Sequence, residues 1–242
     1  MAILERVDRN AVAYLTLNSP ERLNALSDEM LEALQTTFDK FHKDTSIRAV
    51  VLRGAGKAFC AGHDLKQMTE ARKQKDGGAA IFKDLFDRCA SFMQTVQNIP
   101  QPVIAQVHGI ATAAGCQLVA TCDLAVAAEN TKFGVNGVNI GLFCSTPMVA
   151  LSRNINRKRA FEMLVTGEFM EAEEAKVIGL INKVVPEREL LSATTSLAEI
   201  ISKKLGSAVT TGKIAFYQQI QMPTEDAYRY TGKVMVQNML NK

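Results

Sequence analysis

Two stretches of this 242-residue chain bring small residues and glycine to places where a buried strand should run into a helix. One is Phe59-Cys60-Ala61-Gly62-His63-Asp64-Leu65-Lys66; the other is His108-Gly109-Ile110-Ala111-Thr112-Ala113-Ala114-Gly115-Cys116-Gln117. Lack of bulk lets a ligand approach the backbone, and the N–H groups that open a helix have no intrahelical acceptor. Two such donors converging on one point form an oxyanion hole, which stabilises charge developing on a carbonyl oxygen. Each stretch taken singly is better read as a turn that allows tight packing, because glycine-rich turns are common. The signal lies in the pair.

The elements that must position these stretches follow from hydrophobic spacing. Ala49 to Leu52 and Val103 to Val107 are short apolar runs of the buried-strand kind, one ahead of each stretch, and Leu124 to Ala127 is a third. Ile3 to Val7 and Ala11 to Leu17 flank the triplet Asp8-Arg9-Asn10 and predict a hairpin. Ser27 caps a helix whose apolar positions are Met30, Leu31, Leu34, Phe38 and Phe41, with Asp28 and Glu29 in its first turn. Ala79 to Val96 is a second helix, with Ile81, Leu85, Cys89, Phe92 and Val96 on one stripe and Asn98-Ile99-Pro100 as its stop. After Gly115 an apolar helix runs through Leu118 and Ala120. Further helices are expected over Arg157–Thr166, Glu171–Val177, Arg188–Leu205, Ala208–Gln221 and Glu225–Leu240. No linker or repeat divides the chain, so the reading is one α/β domain with a helical C-terminal third.

Composition narrows the function classes. At 47% hydrophobic and 22% charged residues, with a net charge of +3 spread along the chain, it is that of an ordinary globular protein without the basic patch of a nucleic-acid binder. No apolar stretch reaches the 18 to 20 residues of a membrane span. Five cysteines without a C-x-x-C pair, and a first segment lacking an apolar run, point to a reduced compartment. Three histidines at unrelated spacings give no support for zinc.

The chain resembles the crotonase superfamily, the enoyl-CoA hydratase/isomerase family. The resemblance is carried by Asn18 to Leu26, Lys57 to Lys66, Pro102 to Glu129 with Phe133-Gly134, and Glu162 to Glu168 with Ala172 to Val185. Within it, Ala111 to Leu118 and Gly137 to Pro147 are most similar to the group called enoyl-CoA hydratase domain-containing protein 3. The resemblance implies an α/β crotonase spiral of repeated β-β-α turns, with a core over residues 1–185 carrying the acyl-CoA site. Residues 186–242 would form a helical region that builds a homotrimer or a hexamer. It further implies that the backbone N–H groups of His63 and Ala114 hold the thioester oxygen and stabilise an enolate. Arg22, Leu23 and Ala25, and the stretch Ala61, His63, Asp64, Leu65 and Lys66, would line the CoA path, with Lys66 near the phosphates. The CoA thioester is the ligand itself; no other cofactor, metal, nucleic acid or membrane is expected. A cytoplasmic location is expected, or the mitochondrial matrix if a transit peptide has been removed.

Departures from the family pattern carry as much weight. Hydratases of the family have one catalytic glutamate where this chain has Gln117 and a second where it has Gly137. An amide cannot exchange a proton at neutral pH and glycine has no side chain, and each acid–base group contributes roughly 10²- to 10⁴-fold. Hydration is therefore expected to be very slow, and restoring both glutamates to raise it. Cys144 stands where related decarboxylases place a functional tyrosine and is a candidate nucleophile only if its pKa is lowered. Other members carry His at position 63 and use its backbone, so the ring is taken as a bystander. Asp64 reads as a cap, and Asn139 and Thr146 as groups that orient a water or a substrate polar atom. Arg153, Arg157, Lys158 and Arg159 read as a solvated helix start or an intersubunit contact. Family members usually continue past the position of Lys242 with a further short helix, leaving closure of the pocket open. The expected function is an acyl-CoA-binding member of the family. The alternatives are other thioester chemistry (isomerase, decarboxylase or hydrolase) or a catalytically silent binder or scaffold.

Overall fold

The computed structural model describes residues 2–240. Strand β1 (Leu4–Arg9) pairs antiparallel with β2 (Val12–Leu17). Their register closes on Arg9 opposite Val12, so the turn is Asn10-Ala11, not the expected Asp8-Arg9-Asn10. Both turn residues have positive φ (52° and 59°), as a two-residue hairpin turn requires. Alanine seldom adopts that conformation, which is why the turn was hard to place from residue types.

Helix α1 (Asp28–Phe41) follows, with Ser27 accepting a hydrogen bond from the Met30 N–H at 3.2 Å. Strand β3 (Ala49–Gly54) lies parallel to β2, and after it come α2 (Leu65–Ala71) and α3 (Ala79–Asn98). Leu85, Cys89, Phe92 and Val96 of α3 are buried as expected, but Ile81 is exposed, because the first turn of α3 overhangs the core. The next unit is β4 (Val103–Val107), β5 (Ile110–Thr112) and α4 (Ala114–Thr121); the one after it is β6 (Leu124–Ala128), β7 (Lys132–Gly134) and α5 (Ser145–Asn154). Helix α6 (Arg157–Thr166), β8 (Met170–Glu171), α7 (Ala172–Val177) and β9 (Lys183–Val185) complete the core.

Two sheets result, a six-stranded one in the order β1-β2-β3-β4-β6-β9 and a three-stranded one in the order β5-β7-β8. An isolated bridge between Cys60 and Ala111 extends the small sheet toward the end of β3. Each long strand is thus followed by a short segment in the second sheet and then a helix, and these turns stack. Successive residues of a strand point to opposite faces. Leu15, Val50, Leu52 and Ala105 pack with α1 and α3 in the main core, while Val12, Tyr14, Val51 and Ile104 meet Ala198 and Ile201 of α8 (Leu190–Ser202).

Two further helices, α9 (Gly206–Gln219) and α10 (Thr224–Leu240), end the described chain. Helix α9 is held by Lys213, whose ammonium donates to the Val96 and Gln101 carbonyls at 2.9 Å each and to Asp123 at 2.8 Å. Asp123 also accepts from the Val103 N–H at 2.6 Å and from the Tyr217 hydroxyl at 2.8 Å. Helix α10 packs on α9 and has no buried residue.

Candidate active site

The two glycine-rich stretches meet. The Thr112 N–H donates to the Cys60 carbonyl at 3.0 Å, and the Gly62 carbonyl accepts from the Leu26 N–H at 2.7 Å. Gly62 has φ +91°, and a methyl group there would stand 2.9 Å from Ala113 Cβ and 3.2 Å from Ala114 N. Glycine is therefore required both by conformation and by the approach of the second loop. One residue on from Gly62 is the N–H of His63; opposite it is the N–H of Ala114, the first residue of α4. Among the described residues neither N–H has an acceptor.

Ala113, just before α4, has φ 50° and ψ −121°, the first central position of a type II′ turn and a region favoured by glycine. Its N–H donates to the Gly134 carbonyl at 2.9 Å and its carbonyl accepts from the Gln117 N–H at 3.0 Å. A non-glycine residue held there stores roughly 1 to 3 kcal/mol of strain, and such strain gathers at functional sites. Expectations built on residue types alone did not single out Ala113; only its backbone angles do.

Beside the paired N–H groups lies a cavity of about 330 Å³ whose lining includes His63, Met68, Phe86, Ala114, Gly137 and Cys144. It meets, at Met68, a larger charged groove of about 670 Å³ that includes Arg22, Asp64 and Lys66. Asp64 caps α2 as expected, accepting from the Lys66 N–H at 2.8 Å and the Gln67 N–H at 3.3 Å, and it holds Arg22 at 3.2 Å. Arg22 and Lys66 are exposed along the groove, and Ala61 and Leu65 line the cavity. The Leu23 carbonyl accepts from the Ala61 N–H at 3.0 Å. Ala25 departs from the expectation: its side chain is buried and lines neither space.

Gln117 sits one helical turn beyond Ala114, buried, and its Oε1 has no hydrogen-bond partner. Gly137 is closed in on two sides. A methyl group there would stand 2.4 Å from the Leu142 carbonyl oxygen and 2.8 Å from the Cys144 Sγ. The expectation that a glutamate could simply be restored at 137 is overturned by this crowding, since the returning backbone and thiol occupy the room it needs. Burial pushes the Cys144 thiol up, against a smaller opposing effect of the Gly137 N–H, so it lacks the lowered pKa a nucleophile would need. Cys60, Cys89 and Cys116 are pushed up to about 12 by burial, and all five thiols are free.

The His63 ring stands edge-on to Phe86, 5.6 Å between centroids, with Nδ1 3.5 Å from the Leu26 carbonyl. Burial holds its pKa below the ordinary value. Thr112 donates to Asn136 at 2.7 Å; Asn139 donates to the Gly167 carbonyl at 3.3 Å, and Thr146 lines the same cavity. Phe86 and Asn136 are additions that periodicity could not supply, as Phe86 lies off the main stripe of α3. In the basic run, Arg159 pairs with Glu162 and Glu174, and Asn156 caps α6 by accepting from the Lys158 N–H at 3.0 Å. Among the described residues no cluster of three metal-ligating side chains occurs, and no helix is long and apolar enough to cross a membrane.

The stacked β-β-α turns are those of the crotonase fold. A crystal structure of enoyl-CoA hydratase from Mycobacterium smegmatis superposes with a TM-score of 0.94 at 51% identity, covering 99% of this chain and 91% of that one. Residues 8–242 match the model of the enoyl-CoA hydratase/isomerase family, and the chain belongs to that family. Within it, the chain is 43% identical over 233 residues to enoyl-CoA hydratase domain-containing protein 3, mitochondrial, of Xenopus laevis, covering 96% of this chain and 78% of the relative. The crystal structure of the human protein of that name superposes with a TM-score of 0.93 at 39% identity, covering 98% of this chain and 92% of that one.

Proposed function

We propose that the chain binds acyl-CoA thioesters, with the thioester oxygen between the N–H groups of His63 and Ala114 and the acyl group in the adjoining cavity. The observation that carries this reading is the pair of unpartnered N–H groups brought side by side by the Gly62 contact, at the wall of a mostly apolar cavity. Such donors polarise a carbonyl and stabilise an enolate without reorganising during the reaction. The charged groove along Arg22 and Lys66 offers cations to the phosphates of CoA.

The site supplies the oxyanion donors without the two carboxylates that hydration needs. Gln117 is an amide, Gly137 has no side chain, and Cys144 and His63 are held in their neutral forms by burial. Steps that need charge stabilisation alone are within its means: enolate formation by loss of a leaving group from the α-carbon, or binding without turnover. Hydration, which must deliver one proton and remove another, is not.

Calorimetry with acetyl-CoA and butyryl-CoA tests binding, and turnover of a panel of acyl-CoA thioesters separates enzyme from silent binder. Binding together with crotonyl-CoA hydration far below the ordinary roughly 10 s⁻¹ of enzymes is expected. No binding heat at millimolar thioester overturns the ligand, and brisk hydration overturns the account of the missing carboxylates. We also propose that the chain assembles as a homotrimer or hexamer through the faces that α9 and α10 leave exposed.

A further inference from the structure

Among the described residues, four buried side-chain atoms lack any hydrogen-bond partner: His63 Nε2, Gln117 Oε1, Gln101 Oε1 and Gln106 Oε1. Two of them belong to the junctions that carry the paired N–H groups. The Leu26 carbonyl can only accept, so the hydrogen of the His63 ring resides on Nδ1 and Nε2 presents a lone pair. An acceptor buried without a donor destabilises the free protein, and a ligand that brings a donor removes that cost. The ring belongs to the wall of the cavity, among Leu65, Met68 and Phe86, and not to that of the charged groove, so the donor it can meet is on the acyl part of a ligand. Gln117, one turn along α4, adds a second unpartnered acceptor next to the same oxyanion pair.

We propose that the His63 side chain is a specificity determinant which accepts a hydrogen bond from the acyl chain, so that the site selects acyl-CoA thioesters bearing a hydroxyl group over their alkyl counterparts. This rests on the acyl-CoA reading above. The same residue then acts twice, its N–H on the thioester oxygen and its Nε2 on the hydroxyl, which places that hydroxyl near the carbonyl and not at the far end of the chain.

The test is the ratio of dissociation constants for butyryl-CoA and 3-hydroxybutyryl-CoA, each enantiomer separately, in wild type and two variants. In wild type one hydroxy enantiomer is expected to bind roughly 3- to 10-fold tighter than butyryl-CoA, the range of one net hydrogen bond. His63→Phe, which keeps the backbone N–H and loses the acceptor, should bring the ratio to about one, and His63→Gln, which keeps an acceptor at similar reach, should restore part of it. Equal binding of hydroxy and alkyl thioesters by wild type overturns the inference while leaving the acyl-CoA reading in place. So does an equal weakening of both by His63→Phe, which would move the donor to the pantetheine amide shared by the two ligands. If neither thioester binds wild type, the acyl-CoA reading itself fails and this inference falls with it.

Discussion

Ala113 is the residue at which conformation and composition disagree most openly. Its angles suit glycine, and α4 begins one residue later. Ala113→Gly should therefore raise stability by about 1 kcal/mol, the strain released less the added chain entropy, and Ala113→Val should lower it; urea midpoints decide both. Gly137 obeys the opposite rule. Gly137→Ala should cost roughly 1 to 3 kcal/mol by overpacking against the Leu142 carbonyl and Cys144, and Gln117→Glu with Gly137→Glu should leave crotonyl-CoA hydration no faster than wild type. A clear rise in turnover would show that the 137–144 segment yields. The identities at 117 and 137 were legible in the sequence. The space around them was not, because it depends on how a backbone five to seven residues downstream returns.

His63 also sets a pH dependence. Its folded pKa lies below the ordinary 6.5, chiefly through burial; Asp28 of α1 and Arg88 of α3, the charged groups coupled to it, pair with each other. Between the folded value and 6.5 the unfolded chain binds more protons, so stability rises with pH across that window and is lost as pH falls below 6.5. His63→Gln should lose less stability than wild type between pH 7.5 and pH 5.5 in parallel urea titrations. Equal losses would assign the acid sensitivity to other groups.

At the scale of elements, α9 shows how docking can hide from periodicity. Its buried residues are Lys213 and Ala215, so an apolar stripe does little to anchor it. The ion pair with Asp123 does, with the ammonium fully supplied with acceptors and both partners largely shielded from water. Removing one partner of such a pair leaves the other charge uncompensated, at about 3 to 5 kcal/mol. Asp123→Asn should cost about that much in urea unfolding and should speed amide exchange across residues 206–219; a loss under about 1 kcal/mol would mean that packing, not charge, holds α9. Spacing revealed α1 and α3 because a stripe repeats within one helix. It missed β5, β7 and β8, which are two or three residues long and owe their existence to partners elsewhere, and α5, which opens with Ser-Thr-Pro.

For the whole molecule, the resemblance carried the stacked spiral, and spacing alone reached only an α/β domain with a helical end. The helices after residue 186 were expected to leave apolar positions without partners. Ile200, Leu205, Ile214 and Met235 are exposed; Ile201 instead packs on the large sheet through α8, and Val209 is half-buried. Helix α10 exposes Tyr228, Met235, Val236 and Met239 and buries nothing, although a helix of its length is marginal in water without tertiary support. Light scattering at micromolar concentration should return three or six chains, and Val236→Glu together with Met239→Glu should lower that number. A wild-type monomer would reject the assembly.

The Asp123–Lys213 pair has a consequence for synthesis. Its partners are 90 residues apart in the chain. At roughly 5 to 20 residues per second, Asp123 waits on the order of 5 to 18 s after leaving the ribosome before Lys213 is even made. During that interval the strands β4 and β6, on either side of Asp123, can close only around a carboxylate that lacks its counter-ion. The central sheet is therefore a late product of translation, and a nascent chain halted before residue 213 should be captured by chaperones where the completed chain is not.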